Sequence, residues 1–137
     1  MIELTSPSPP PAASGTVLVA EPDVLVRLLI CHYLRECGYR VVEAANADEA
    51  VTILSSRDTR IDIVLCVVEL TGAMDGFGLA RWVRSRLPDI DVILAGSSTR
   101  TAQAAGKLCE EGLLYKPYDH KLLAERIKRL LAARGRK

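Results

Sequence analysis

Two acids, Glu21 and Asp23, follow a short valine-rich run, and a lysine–proline pair, Lys116 and Pro117, follows another. Carboxylates and an ammonium brought to one place could hold a divalent cation and steady an anion under transfer. A third apolar run, Ile61 to Val68 (IDIVLCVV), ends on Cys66, Val67 and Val68. In an α/β protein the end of such a strand is where a reactive group is expected. Valine offers no proton, no nucleophile and no ligand.

Other chemistry finds little support. Cys31, Cys37, Cys66 and Cys109 have no metal-ligand spacing and fall in helical or buried stretches, as small apolar residues do. They suit a reduced, cytoplasmic protein. His32 and His120 stand alone in helical stretches and do not form a metal site. No Ser/His/Asp or Cys/His set converges on the strand ends. The segment AEPDV after the first run has acids and a proline where a flavin or nucleotide site needs a glycine- or hydroxyl-rich phosphate loop. Trp82 and Tyr118 read as packing residues, and Gly96 with Ser97 and Ser98 as a turn and helix cap. The chain is expected not to be an enzyme.

The elements that would position these residues alternate regularly. TVLVA (16–20) is a strand bounded by Gly15 and Pro22, and Pro22 suits the first turn of a helix that ends at Gly38. YRVVEA is a second strand. Asn46, with Glu49 three residues on, opens a helix as in a capping box. The third strand, 61–68, is apolar almost throughout, so both its faces are covered. Leu79, Trp82, Val83 and Leu87 lie at helical spacing before Pro88. DVILA is a fourth strand, SSTRTAQAAGKLCEE a small-residue helix, and LLYK a fifth strand. Asp119 caps a last helix, with Leu123, Ile127, Leu130 and Leu131 facing the core.

Five βα repeats with short links predict a flavodoxin-like doubly wound (βα)5 sandwich around a five-stranded parallel sheet. The 137 residues accommodate one core. Residues 1–15, rich in Pro, Ser and Ala, read as a disordered arm, 16–133 as the domain and 134–137 as a basic tail. No apolar run approaches the ~20 residues of a membrane span. Net charge is +1, but from Asp119 onward seven basic residues face two acids, leaving the rest acidic. That basic end reads as a solvated helix face and not as a nucleic-acid site.

VLVAEPDVLVR, GYRVVEAANADEA, GAMDGFGLARWVRSRLPDIDVIL and YKP together resemble the receiver domain of bacterial two-component response regulators, the family of the chemotaxis regulator. The resemblance covers about residues 16–133. It implies that an aspartate at the end of the third strand takes a phosphoryl group from a histidine kinase. It also implies an acidic pair holding Mg²⁺, a hydroxyl after the fourth strand and a lysine after the fifth. Here the pair matches Glu21 and Pro22, with Asp23 one place late. The acceptor matches Val67 counting from Asp62, or Val68 counting back from Gly76. The hydroxyl matches Ala95, the switching aromatic Leu113 and the loop proline Thr71. Lys116 and Pro117 are retained, and Lys116 is expected to turn to Glu21, Asp23 or strand-end carbonyls.

With so many groups replaced, the resemblance implies a pseudo-receiver. This is a protein-interaction module working without phosphorylation and without Mg²⁺, on a histidine kinase, another response regulator or its own copy. The alternative is a phosphorelay member with a displaced acceptor, Glu69 or Asp75. Two assembly states are open: a homodimer through the fourth helix, fifth strand and fifth helix, or a monomer awaiting another partner. In the homodimer Lys107, Glu110 and Glu111 could meet Lys121, Arg126, Lys128 and Arg129 across a two-fold axis.

Overall fold

Valine, isoleucine and leucine dominate the strand segments, and their branched side chains fill both faces of one parallel sheet. The structure, a computed structural model, describes residues 15–56, 58–96, 114–115 and 119–134. Its strands are β1 (Thr16–Ala20), β2 (Arg40–Ala44), β3 (Ile63–Val67), β4 (Asp91–Gly96) and β5 (Leu114–Tyr115). They lie in the order β2-β1-β3-β4-β5, all pairs parallel. The helices are α1 (Val24–Glu36), α2 (Ala47–Ser55), α3 (Gly76–Arg86) and a C-terminal helix (His120–Arg134). α1 packs beside the C-terminal helix and α2 beside α3, as expected when helices cover both faces of a doubly wound sheet. The helix expected over 97–111 lies outside the described residues, as do the arm and the end of the tail.

The helix ends show the sequence acting locally, with two corrections. α1 starts at Val24, not at Pro22, because the Asp23 side chain accepts from the Val26 backbone N–H at 3.1 Å and so occupies the cap. Pro22 therefore precedes the helix. α1 stops where Gly38 takes φ +100°, a left-handed conformation open to glycine. At α2, Asn46 accepts from Glu49 N–H at 2.8 Å, but the returning Glu49 carboxylate reaches the Ala45 N–H at 2.7 Å. The capping box is thus closed one residue earlier than the usual pattern. Asp119 accepts from the Lys121 and Leu122 N–H groups and caps the C-terminal helix.

β3 is the central strand and every one of its residues is buried. Against it pack Leu79 and Val83 of α3, while Trp82 is only half-buried and carries the Arg86 guanidinium 5.7 Å from its ring centre. Leu123, Ile127 and Leu130 of the C-terminal helix join the core, as the spacing predicts. Cys31 and Cys66 are buried and Cys37 half-buried, all three free thiols.

A Cβ at Gly76 would overlap the Val67 carbonyl oxygen and sit 2.8 Å from the Val68 Cα, both backbone atoms that cannot turn aside. Gly76→Ala should therefore cost about 2 kcal/mol or more in urea unfolding, even though Ala favours helix. Burial, with the Glu43 carboxylate adding to it and Arg35 and Arg27 opposing, pushes the Cys31 thiol from 9.0 up to about 11. A folded-state value above the unfolded one gives stability that is complete below the unfolded value. It is lost as pH rises through the interval up to the folded value, because the unfolded thiol ionises first. The thermal midpoint should fall across that interval, and less so in Cys31→Ala. Native alkylation read by mass spectrometry should spare Cys31 and Cys66 relative to Cys37.

Candidate functional site

The carboxyl ends of β1, β3 and β4 meet at one edge of the sheet, where parallel strands followed by helices leave a crevice. Glu21 is the first residue beyond β1. Its backbone N–H continues the ladder to the Ala44 carbonyl at 3.0 Å, which holds it over the sheet at 2% exposure. Its carboxylate accepts from the Asp23 N–H at 3.1 Å, and its carbonyl accepts from Arg27 Nη1 at 2.7 Å. Arg27 is held in turn by Glu43 of β2, Nε to Oε1 at 3.2 Å. A buried carboxylate is costly unless hydrogen-bonded, and these contacts belong to that compensation.

Pro22 is half-buried and has no side-chain donor or acceptor. Asp23 is exposed, and its carboxylate serves the first turn of α1. The two sequence acids are thus separated by role. One is buried at the sheet edge, and the other is a surface helix cap.

Val67 is the last residue of β3 and only 1% exposed. Its register partner on β4 is Ala95, also buried. Val68 begins the turn, its N–H bonded to the Ala95 carbonyl at 2.9 Å and its carbonyl accepting from Gly76 N–H at 3.1 Å. The crevice floor from β3 to β4 is therefore apolar. Below it, Cys66 is buried beside the Gly76 carbonyl, with Sγ 3.8 Å away.

Beyond β3 the loop is pinned at several points. Leu70 is buried, Thr71 accepts from the Ala47 N–H at 2.8 Å, and Asp48 faces Gly72 and Ala73. Gly72 has φ +107°. Asp75 is the N-cap of α3, its Oδ1 accepting from Gly78 N–H at 2.8 Å, and Glu69 is exposed just past the strand. Sequence reasoning missed two contributors. Arg27 supports Glu21 from below, and the N-terminus of α2 anchors the loop after β3. An arginine and an asparagine-capped helix look ordinary in a linear string, and only the fold brings them here.

The structure gathers Glu21, Val67 and Ala95 at this edge and turns Asp23 away from it. Lys116, Pro117, Leu113, Lys107, Glu110 and Glu111 lie outside the described residues. Lys121, Lys128 and Arg129 are exposed on the C-terminal helix and Arg126 is half-buried there. Among the described residues no cluster of three or more His, Cys, Asp or Glu side chains could hold a metal ion, and no helix is long and apolar enough to cross a membrane.

Known proteins place this architecture. The family described as response regulator receiver domain matches residues 17–128. The sensor kinase CckA of Brucella abortus is 34% identical over 122 residues, which are 88% of this chain and 13% of that protein. The transcriptional regulatory protein AruR of Pseudomonas aeruginosa is 30% identical over 119 residues, covering 84% of this chain and 48% of that one. The chain thus spans less than half the length of these curated relatives. The signal receiver domain of a histidine kinase from Syntrophus aciditrophicus superposes with a TM-score of 0.75 at 32% identity, over 87% of this chain and 91% of that domain. A flavodoxin-like parallel sheet, a crevice at its carboxyl edge and a family match over most of the chain lead to one conclusion: the chain belongs to the response regulator receiver domain family of two-component signalling.

Proposed function

We propose that this receiver is a pseudo-receiver, a phosphorylation-independent interaction module whose partner is a protein such as a histidine kinase or another response regulator. The observation that carries the reading is the buried Val67–Ala95 pair at the end of β3 and β4. Phosphoryl transfer to an acyl oxygen requires a reachable carboxylate, and a divalent cation beside it to neutralise the developing charge. Val67 supplies no oxygen, and its methyl groups are enclosed by core.

The oxygens nearby do not fit Mg²⁺. That ion keeps an octahedral shell with several waters. Glu21 is buried, with its Oε2 engaged by the Asp23 N–H; Pro22 has no ligand atom, and the Asp23 carboxylate is committed to capping. Loss of Mg²⁺ binding is part of the proposal.

A displaced acceptor fares less well. Asp75 holds the first turn of α3, so a phosphoryl group there would remove the Gly78 bond and a helix cap. Glu69 is exposed and lies beyond the strand end, and among the described residues no group of three or more His, Cys, Asp or Glu side chains could hold a cation there.

Incubation with acetyl phosphate and Mg²⁺ should give no mass increase of a phosphoryl group. Amide NMR shifts around Glu21 and Val67 should not titrate with Mg²⁺ at millimolar concentration. Acid-labile phosphate on any carboxylate would sink the reading. Val67→Asp alone should remain unphosphorylated and lower stability by roughly 1–3 kcal/mol or more, since it buries a charge without a second ligand beside it.

A further inference from the structure

α3 runs back from the crevice to the amino-terminal edge of the sheet, and it carries three arginines and no acid. Two other helices balance their charges. On α1, Arg27 and Arg35 meet Glu43, and His32 meets Glu36. On the C-terminal helix, Glu125 lies three or four residues from Lys121, Lys128 and Arg129. On α3 the positions three and four residues from Arg81 are Phe77, Gly78, Arg84 and Ser85. None is acidic, and Arg84 sets a like charge beside Arg81, which works against the helix. The helix dipole accounts for Arg84 and Arg86 in the last turn, but not for Arg81 before it.

Arg81, Trp82, Arg84, Ser85 and Arg86 form one contiguous surface. Ser85 is exposed, four residues from Arg81 and three from Trp82, so a small side chain separates the guanidiniums on one side from the indole on the other. Trp82, the single tryptophan of the chain, is half-buried against the core, with the Arg86 guanidinium 5.7 Å from its ring centre. A ring held by core and cation can be covered further with little loss of side-chain freedom. Tryptophan and arginine are also among the residues that most often carry the binding energy of protein interfaces.

We infer that this face of α3 docks an acidic segment of a partner protein. Its carboxylates pair with Arg81 and Arg84, while an adjoining apolar side chain covers the exposed edge of Trp82. Charge selects that occupant. Guanidinium groups take carboxylates in paired, charge-assisted hydrogen bonds. A second copy of this chain would bring the same arginines to a two-fold axis, where like charges repel. A nucleic-acid backbone is held by a longer run, about 6–10 phosphate contacts in a typical complex. Here Asp89, exposed three residues beyond Arg86, ends the basic surface. The surface lies at the far end of α3 from Val67 and Ala95, so the inference goes beyond the reading of the crevice. Phosphate found on the chain would overturn that reading and leave this one standing.

Trp82 is the reporter for the test. The full chain is titrated with a short oligo-glutamate peptide carrying one central leucine, followed by Trp82 emission and, with the peptide labelled, by fluorescence anisotropy. Both signals should saturate together, and about 0.5 M salt should weaken the binding. Arg81→Glu and Arg84→Glu should each weaken it at least about tenfold. Arg40→Glu, the same charge change at an exposed position of β2, should leave it unchanged. The thermal midpoint of Arg81→Glu should stay close to wild type, because that side chain is exposed. Absence of binding up to millimolar peptide overturns the inference. So does binding that leaves Trp82 emission unchanged, or that Arg81→Glu does not weaken. A single-stranded oligonucleotide of equal charge that binds more tightly than the peptide overturns it too, and gives the surface to nucleic acid.

Discussion

The enclosure of β3 between β1 and β4, with helices over both faces, is the constraint on which the rest of the molecule depends. A parallel strand in that position has no solvent-facing side, so each residue is chosen by packing alone. A carboxylate at its end survives only if cations and donors surround it. Val67 fits the enclosure without such support, and the edge of the sheet can then close over an apolar floor. The identity of this one side chain follows the same packing rule as Ile63 or Leu65 further down the strand.

Around that floor the backbone is held from several sides. Gly76 lies against the Val67 carbonyl where no Cβ fits, and Val68 bonds to both Gly76 and Ala95. Asp75 caps α3, and the α2 N-terminus takes the Thr71 carbonyl. Arg27 links α1 to β2 through Glu43 and to the Glu21 carbonyl, with Arg35 on the same carboxylate at 3.4 Å. These polar contacts tie the loops after β1 and β3 to neighbouring elements. Preorganised surface lowers the ordering cost of association.

On the outside, the exposed Val24, Leu25, Leu28 and Leu29 of α1 form an apolar stripe. Their helix begins at the crevice, immediately after Pro22 and the Asp23 cap. Stability does not account for the stripe. Four apolar side chains about half or more in water forgo only part of the roughly 1.5–3 kcal/mol that full burial of an exposed side chain gives, and association could recover some of that part.

Much of this was determined by the sequence by itself. The alternation of valine-rich runs with helical spacings was enough to order the strands and helices, because period and capping are local properties. The Asn46, Asp119 and Gly38 boundaries were legible for the same reason, and so was the absence of a carboxylate at the end of β3. Tertiary structure decided what local rules could not. Whether Asp23 faces the crevice or its own helix depended on a hydrogen bond to Val26 that competes with any metal. Arg27 and the α2 N-terminus became parts of the site through strand order, which joins residues far apart in the chain. The leucines of α1 look in sequence like any helix core. Only the packed sheet shows that Ile30, Cys31 and Leu34 fill that core already, leaving Leu25 and Leu29 in solvent, because burial is settled by what lies across the interface and not by the residue itself.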